Sequence, residues 1–161
     1  MLRIQPLFGA TLFAATLAMT GCAMMPGGSM SSPAPAGSAM SKETMAPVST
    51  RMSAAAEVPP NASAGSGTVS TTLDKSTRTL RWSVTYSGLS GPVTAGHFHG
   101  PAAAGANAGV ALPFTGTASP IEGSAVLTEA QMADLVAGKW YANLHTAANP
   151  GGEIRGQVTG H

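Results

Sequence analysis

The sequence predicts a mainly β domain, an antiparallel β-sandwich with one short helix, carried behind a disordered linker. Three observations lead there. First, Thr79-Leu80-Arg81-Trp82-Ser83-Val84-Thr85-Tyr86 alternates apolar even-numbered with polar odd-numbered residues, the two-residue period of a half-buried strand. Second, further short segments at 93–99, 108–114, 121–127, 140–146 and 153–159 are separated by Gly, Pro, Asn and Ser clusters at the spacing of sandwiches. Third, the stretch from Ala23 to about Met52 shows neither the strand nor the helix period. The 161 residues are 43% hydrophobic but 5% aromatic, with 20 Gly and 12 Pro, which fits one small domain plus an unstructured part. Eight Lys and Arg against seven Asp and Glu give a formal charge of +1. A phosphate backbone demands a clustered basic surplus, so nucleic acid is not an expected partner. The longest apolar stretch is broken by Gln5, Pro6 and Gly9, so no transmembrane helix is expected in the mature chain.

The N-terminus reads as an export signal: Arg3 is a short positive region, Leu7 to Met19 an apolar one, and Thr20-Gly21-Cys22 supplies small residues for cleavage. Leu17-Ala18-Met19-Thr20-Gly21-Cys22 resembles the lipobox of bacterial lipoproteins, with Met19 where Leu is usual. That resemblance implies a signal peptide over 1–21 and diacylation of Cys22, the single cysteine. Acyl chains contribute roughly 0.8 kcal/mol per buried methylene, so the mature protein is expected to be tethered to a membrane rather than to span it. Ala23 in place of Asp implies, by the same resemblance, an outer-membrane location facing the periplasm. Loss of Arg3 with the signal leaves seven basic and seven acidic residues, so binding must be local and specific.

Residues 22–51 are expected to form a disordered Met/Pro/Gly/Ser/Ala-rich tether, too poor in bulky side chains to offset the entropy of ordering. Methionines 24, 25, 30, 40, 45 and 52 lie in or at the end of it. Thioether sulfur suits Cu(I), but the spacing is irregular, and compositional drift explains it better.

The folded domain is expected over 52–161. Gly65-Ser66-Gly67 leads into a strand at Thr68–Leu73, and Asp74-Lys75-Ser76 turns the chain into the alternating strand at 79–86. Thr128-Glu129-Ala130-Gln131 fits a capping box, Met132, Leu135 and Val136 form one apolar stripe, and Gly138 sits where a helix ends. About two turns of helix should therefore cover one end of the sandwich.

Three of the four histidines occupy two strands, His97 and His99 in one, His145 in the other. Pleating puts His97 and His99 on one face and Phe98 on the other; Asn143 and His145 share a face opposite Ala142 and Leu144. If the strands are neighbours, three imidazoles and an amide converge on one outer patch able to take Zn(II) or Cu(II). The other open reading is that the histidines bind loop carbonyls and the Glu153 and Arg155 side chains, pinning the loop from Pro101 to Asn107 without any ion. Asn149-Pro150-Gly151-Gly152 is turn chemistry, after which Glu153, Arg155 and Gln157 should share a polar face, the first two able to pair. His161, at the end of the chain, is expected to fray.

Glu57-Val58-Pro59-Pro60, Gly96-His97-Phe98-His99-Gly100-Pro101, Leu127-Thr128, Tyr141-Ala142-Asn143-Leu144-His145-Thr146 and Asn149-Pro150-Gly151-Gly152-Glu153-Ile154-Arg155-Gly156-Gln157 together resemble the CHRD domain, named from chordin. The resemblance covers about residues 52–159 and implies a secreted or lipid-anchored envelope protein; it implies no reaction. A fainter likeness to the copper–zinc superoxide dismutase sandwich rests on the His-x-His strand and suggests an immunoglobulin-like or dismutase-like Greek key. The disulfide cysteines, additional histidines and Asp-containing metal loop of that family are missing, so dismutase activity is not expected. No Ser-His-Asp order or paired-carboxylate motif stands out, and no catalytic residue is assigned. The favoured function is a non-catalytic binding or structural module on the cell envelope, with an envelope protein or glycan as partner. The alternative is a periplasmic copper- or zinc-binding protein using His97, His99 and His145. Asn143, Asn149, Glu153 and Arg155 are the expected structural or binding residues around them.

Overall fold

A computed structural model describes residues 44–161. The signal peptide expected over 1–21, Cys22 and most of the tether lie outside the described residues. Among the described residues, eight strands and one α-helix follow in order, with a single 3-10 turn at Ala54–Ala56 after the first strand: β1 (Val48–Ser53), β2 (Ser66–Asp74), β3 (Thr79–Ser87), β4 (Val93–His99), β5 (Val110–Pro113), β6 (Ile121–Val126), α1 (Glu129–Val136), β7 (Trp140–Thr146) and β8 (Ile154–Val158). The fold is thus mainly β, with one α-helix.

All eight strands belong to one antiparallel sheet in the order β5-β4-β7-β8-β1-β2-β3-β6. The join between β8 and β1 is narrow, a single registered pair, Ser53 with Arg155. There the sheet curls, and its two four-stranded halves face each other across the core. Trp82 on β3 meets Phe98 on β4 edge-on with ring centroids 5.5 Å apart, although the two strands lie near opposite ends of the sheet order. Phe114, just past β5, stacks on Trp82 at 5.8 Å. Such aromatic pairs hold the halves together beyond their area of burial. The chain passes between halves after β3, after β5 and after β6, the last time through α1.

The alternation read at 79–86 is the core pattern of β3: Leu80, Trp82 and Val84 are buried. Across the core, Phe98, Ala142, Leu144 and Ile154 are fully buried. The helix begins with the expected reciprocal cap. Thr128 Oγ1 accepts from the Gln131 backbone N–H at 3.2 Å, and Gln131 Oε1 accepts from the Thr128 N–H at 2.9 Å. Leu135 is its fully buried anchor, and Gly138 leaves the helix at φ +69°, a left-handed conformation that costs glycine least.

Two expectations are corrected. The tether does not extend to residue 51, because Val48–Ser53 is a strand placed between β8 and β2, in the middle of the sheet. Met52 is 1% exposed within the core, and Met45 packs against it while its N–H donates to Leu73 O at 2.8 Å. Two of the six methionines are therefore packing residues rather than tether ligands. Nor does His161 fray: it is buried, and its Nε2 lies 2.6 Å from Thr71 Oγ1. A side-chain hydrogen bond inside the fold outweighs the fraying of a chain end.

Candidate metal centre

β4 and β7 are neighbours, and their register sets His97 opposite Asn143, His145 opposite Ala95 and His99 opposite Tyr141. With the intervening residues turned into the core, His97, His99, Asn143 and His145 emerge together on the outer face. The three histidines are half-buried and Asn143 is buried.

One ring nitrogen from each histidine lies within 4.8 Å of the other two. His97 Nδ1 stands 3.2 Å from His145 Nε2. Asn143 Oδ1 stands between the rings, 3.1 Å from His99 Nε2 and 3.0 Å from His145 Nε2. Nitrogens bound tetrahedrally at about 2.0–2.1 Å from one ion are roughly 3.4 Å apart. The cluster is close to that spacing, and closing its widest gap by about 1.4 Å completes it.

His99 Nδ1 lies 3.0 Å from Ala108 O, and His145 Nδ1 lies 3.0 Å from Pro150 O. A carbonyl oxygen only accepts, so each ring donates its Nδ1–H outward. A neutral imidazole has a single N–H, which leaves both Nε2 atoms as lone pairs facing Asn143 Oδ1, itself an acceptor. Of the four converging atoms only His97 Nδ1 can bring a proton. Burial, with the charge of the neighbouring imidazoles added, holds His97 below the usual imidazole range. Burial does the same at His145, where the bond to Pro150 O works in the opposite direction and His99 adds to the lowering. Both shifts favour the neutral ring, the form in which an imidazole nitrogen keeps its lone pair.

The rings are backed by a stacked layer. Tyr141 lies parallel to His99 with centroids 4.8 Å apart, and Arg155 Cζ sits 3.4 Å from the Tyr141 ring centroid, a cation–π contact. Arg155 donates to Ala106 O at 2.7 Å and to Asn107 Oδ1 at 3.0 Å, and Asn107 Nδ2 donates to Val58 O at 2.8 Å. The loop between β4 and β5 is thereby fixed over the site, where its Ala108 carbonyl accepts the hydrogen bond from the His99 Nδ1–H.

A family model, the CHRD domain, matches residues 48–158. The chain belongs to the CHRD domain family. No curated protein and no solved structure matches it. The matched span starts at β1, so this strand is part of the CHRD domain itself.

The other residues expected at the site divide. Arg155 supports the cluster as just described. Glu153 does not reach the histidines and does not pair with Arg155: it is fully buried and accepts from Ser63 Oγ, Ser90 Oγ, the Ser90 N–H and Thr146 Oγ1. The expected shared face fails because β8 starts at Ile154, so the preceding turn, not the pleat, aims Glu153. Asn149 belongs to that turn, with its N–H bonded to Thr146 O at 3.1 Å and its Nδ2 to Ser90 Oγ at 3.3 Å.

Glu57 is the residue at this CHRD site that periodicity could not find. It is 5% exposed, and it lies on the Nδ2 side of Asn143, both crowding the position where a Gly152 Cβ would stand. Gly152 adopts φ +131°, and an added Cβ there would come within 2.9 Å of Asn143 Nδ2 and closer still to Glu57 Oε1. Burial raises the Glu57 carboxyl, opposed by the Arg155 charge, the Val58 N–H and the Asn143 amide. The only sequence signal for it was the Glu57-Val58-Pro59-Pro60 motif. The structure brings that motif together with those of His97, Asn143 and Gly152.

Proposed function

We propose that this CHRD domain is a non-catalytic module that binds a divalent transition ion, Zn(II) or Cu(II), through His97, His99 and His145, and that it is displayed from a membrane by lipid on Cys22. The observation that carries the metal reading is the set of imidazole lone pairs converging within 4.8 Å while the opposite nitrogens of His99 and His145 donate to backbone carbonyls. Metal-bound histidines characteristically donate their second N–H in this way, which fixes tautomer and ring direction. Loop pinning and ion binding use opposite sides of the same rings, so the two are compatible. The donors are imidazole nitrogens without thiolate, which favours Zn(II) and Cu(II) over Cu(I), Mg(II) or Ca(II).

Calorimetric titration of the full chain with Zn(II) tests the reading. It predicts one ion per chain, lost in the His97→Ala/His99→Ala/His145→Ala variant; equal affinity in that variant would rule the site out. The tether is supported by the sequence from Leu17 to Cys22. Metabolic labelling with a fatty acid is expected to mark the protein and to fail for Cys22→Ser, and equal labelling of both would refute lipidation there. An envelope protein or glycan remains the partner class this display suits.

A further inference from the structure

The geometry points to Asn143 as a fourth donor to the ion, through Oδ1, and to Glu57 as the positioning residue that fixes the amide in that sense. This rests on the metal reading above. An asparagine amide has an accepting end and a donating end, and its surroundings decide which faces where. On one side of Asn143 stand His99 Nε2 and His145 Nε2, at 3.1 and 3.0 Å. If the rings alone decided, the amide would turn its Nδ2 toward these lone pairs and satisfy them. It does not: Oδ1 faces the rings.

The reason lies on the other side. Glu57 is buried there beside the Arg155 charge, which favours its ionised form, and as a carboxylate it only accepts. An amide oxygen turned toward it would set acceptor against acceptor in a buried place, where an unmatched polar group is most costly. Nδ2 therefore faces Glu57, and Oδ1 is left against two Nε2 lone pairs. That arrangement leaves acceptor facing acceptor on the ring side instead, and a cation between them relieves it. The donor set becomes three imidazole nitrogens and one amide oxygen, all neutral and all carried by β4 and β7. Glu57 supplies nearby negative charge without touching the ion, and Arg155 offsets part of it. Gly152 belongs to the same device, since any side chain there would push into Glu57 and Asn143.

The experiment uses the full chain with Zn(II) for affinity and Cu(II) for electron paramagnetic resonance. Asn143→Ala and the isosteric Glu57→Gln are each expected to weaken Zn(II) binding about ten- to a hundredfold and to change the Cu(II) spectrum. Glutamine at 57 can donate to Oδ1 and let the amide turn over. Asparagine 143 replaced by aspartate has oxygen at both ends, so orientation no longer matters: Asn143→Asp combined with Glu57→Gln is expected to recover at least the original affinity. Unchanged affinity and spectrum in Asn143→Ala and Glu57→Gln, alongside loss of binding in the triple histidine variant, would overturn this inference and leave the three-histidine site standing. A double variant no tighter than Glu57→Gln alone would overturn the orienting role of Glu57. Absence of Zn(II) binding by the unaltered chain would overturn both.

Discussion

Glu153 is a buried charge held by hydroxyls rather than by a cation. Burial alone would raise its carboxyl, but Ser63, Ser90 and Thr146 together with the Ser90 N–H bring it down to about 2, from an ordinary value of 4.5. Because the folded state binds the proton more weakly than the unfolded chain, the resulting stability is fully present above pH 4.5 and is lost as pH falls towards 2. At roughly 1.4 kcal/mol per pKa unit the contribution is about 3–4 kcal/mol at neutral pH. Glu153→Gln is therefore expected to lower urea-unfolding stability by about that amount at pH 7 and to flatten its dependence between pH 4.5 and 2. An unaltered acid limb would show that the carboxylate is not held as described. Residues of this kind were only half legible in the sequence. The shared direction of His97, His99, Asn143 and His145 follows from a strict period of two, whereas Glu153 and Glu57 lie in turns, where no period dictates direction and only tertiary neighbours do.

At the scale of elements, β2 to β8 were legible because each carries either alternating apolar residues or turn chemistry at its ends, and α1 because its cap and its stripe agree. β1 was not. Its inward positions are Val48, Thr50 and Met52, of which only Met52 is large and fully buried, and it follows directly on a Pro-, Ser- and Ala-rich run. Its place in the sheet comes from two partners, β2 along its whole length and β8 at Ser53, and pairing of that range is invisible to a local pattern. The strand is nonetheless the bridge between the two halves of the sheet. A chain starting at residue 52 loses four of its six residues and is expected to lose the cooperative thermal transition, whereas a chain starting at residue 44 keeps it. Circular dichroism melting distinguishes the two, and equal transitions would mean that β1 is dispensable.

Across the described residues, a curled sheet places its core between two halves and leaves the histidine cluster on an outer face. β4 and β7 present His97, His99, Asn143 and His145 there, β8 adds Arg155, and three segments without regular structure converge behind them: the stretch around Glu57, the loop after β4 and the turn at Gly152. Four of the CHRD motifs, those at Glu57, His97, Asn143 and Gly152, thus meet in one place, while Leu127-Thr128 caps α1 instead. His99 ties the long loop to the sheet through the Ala108 carbonyl and His145 fixes the turn at Pro150, so an ion held as proposed between β4 and β7 would couple both segments to the sheet. X-ray absorption at the zinc edge, on the full chain loaded with one equivalent of Zn(II), reads this claim directly. The account predicts a first shell of nitrogen and oxygen only, at about 2.0–2.1 Å, with the outer-shell scattering of three imidazoles. Sulfur at about 2.3 Å, or scattering from fewer than three imidazoles, would place the ion elsewhere in the chain and contradict it.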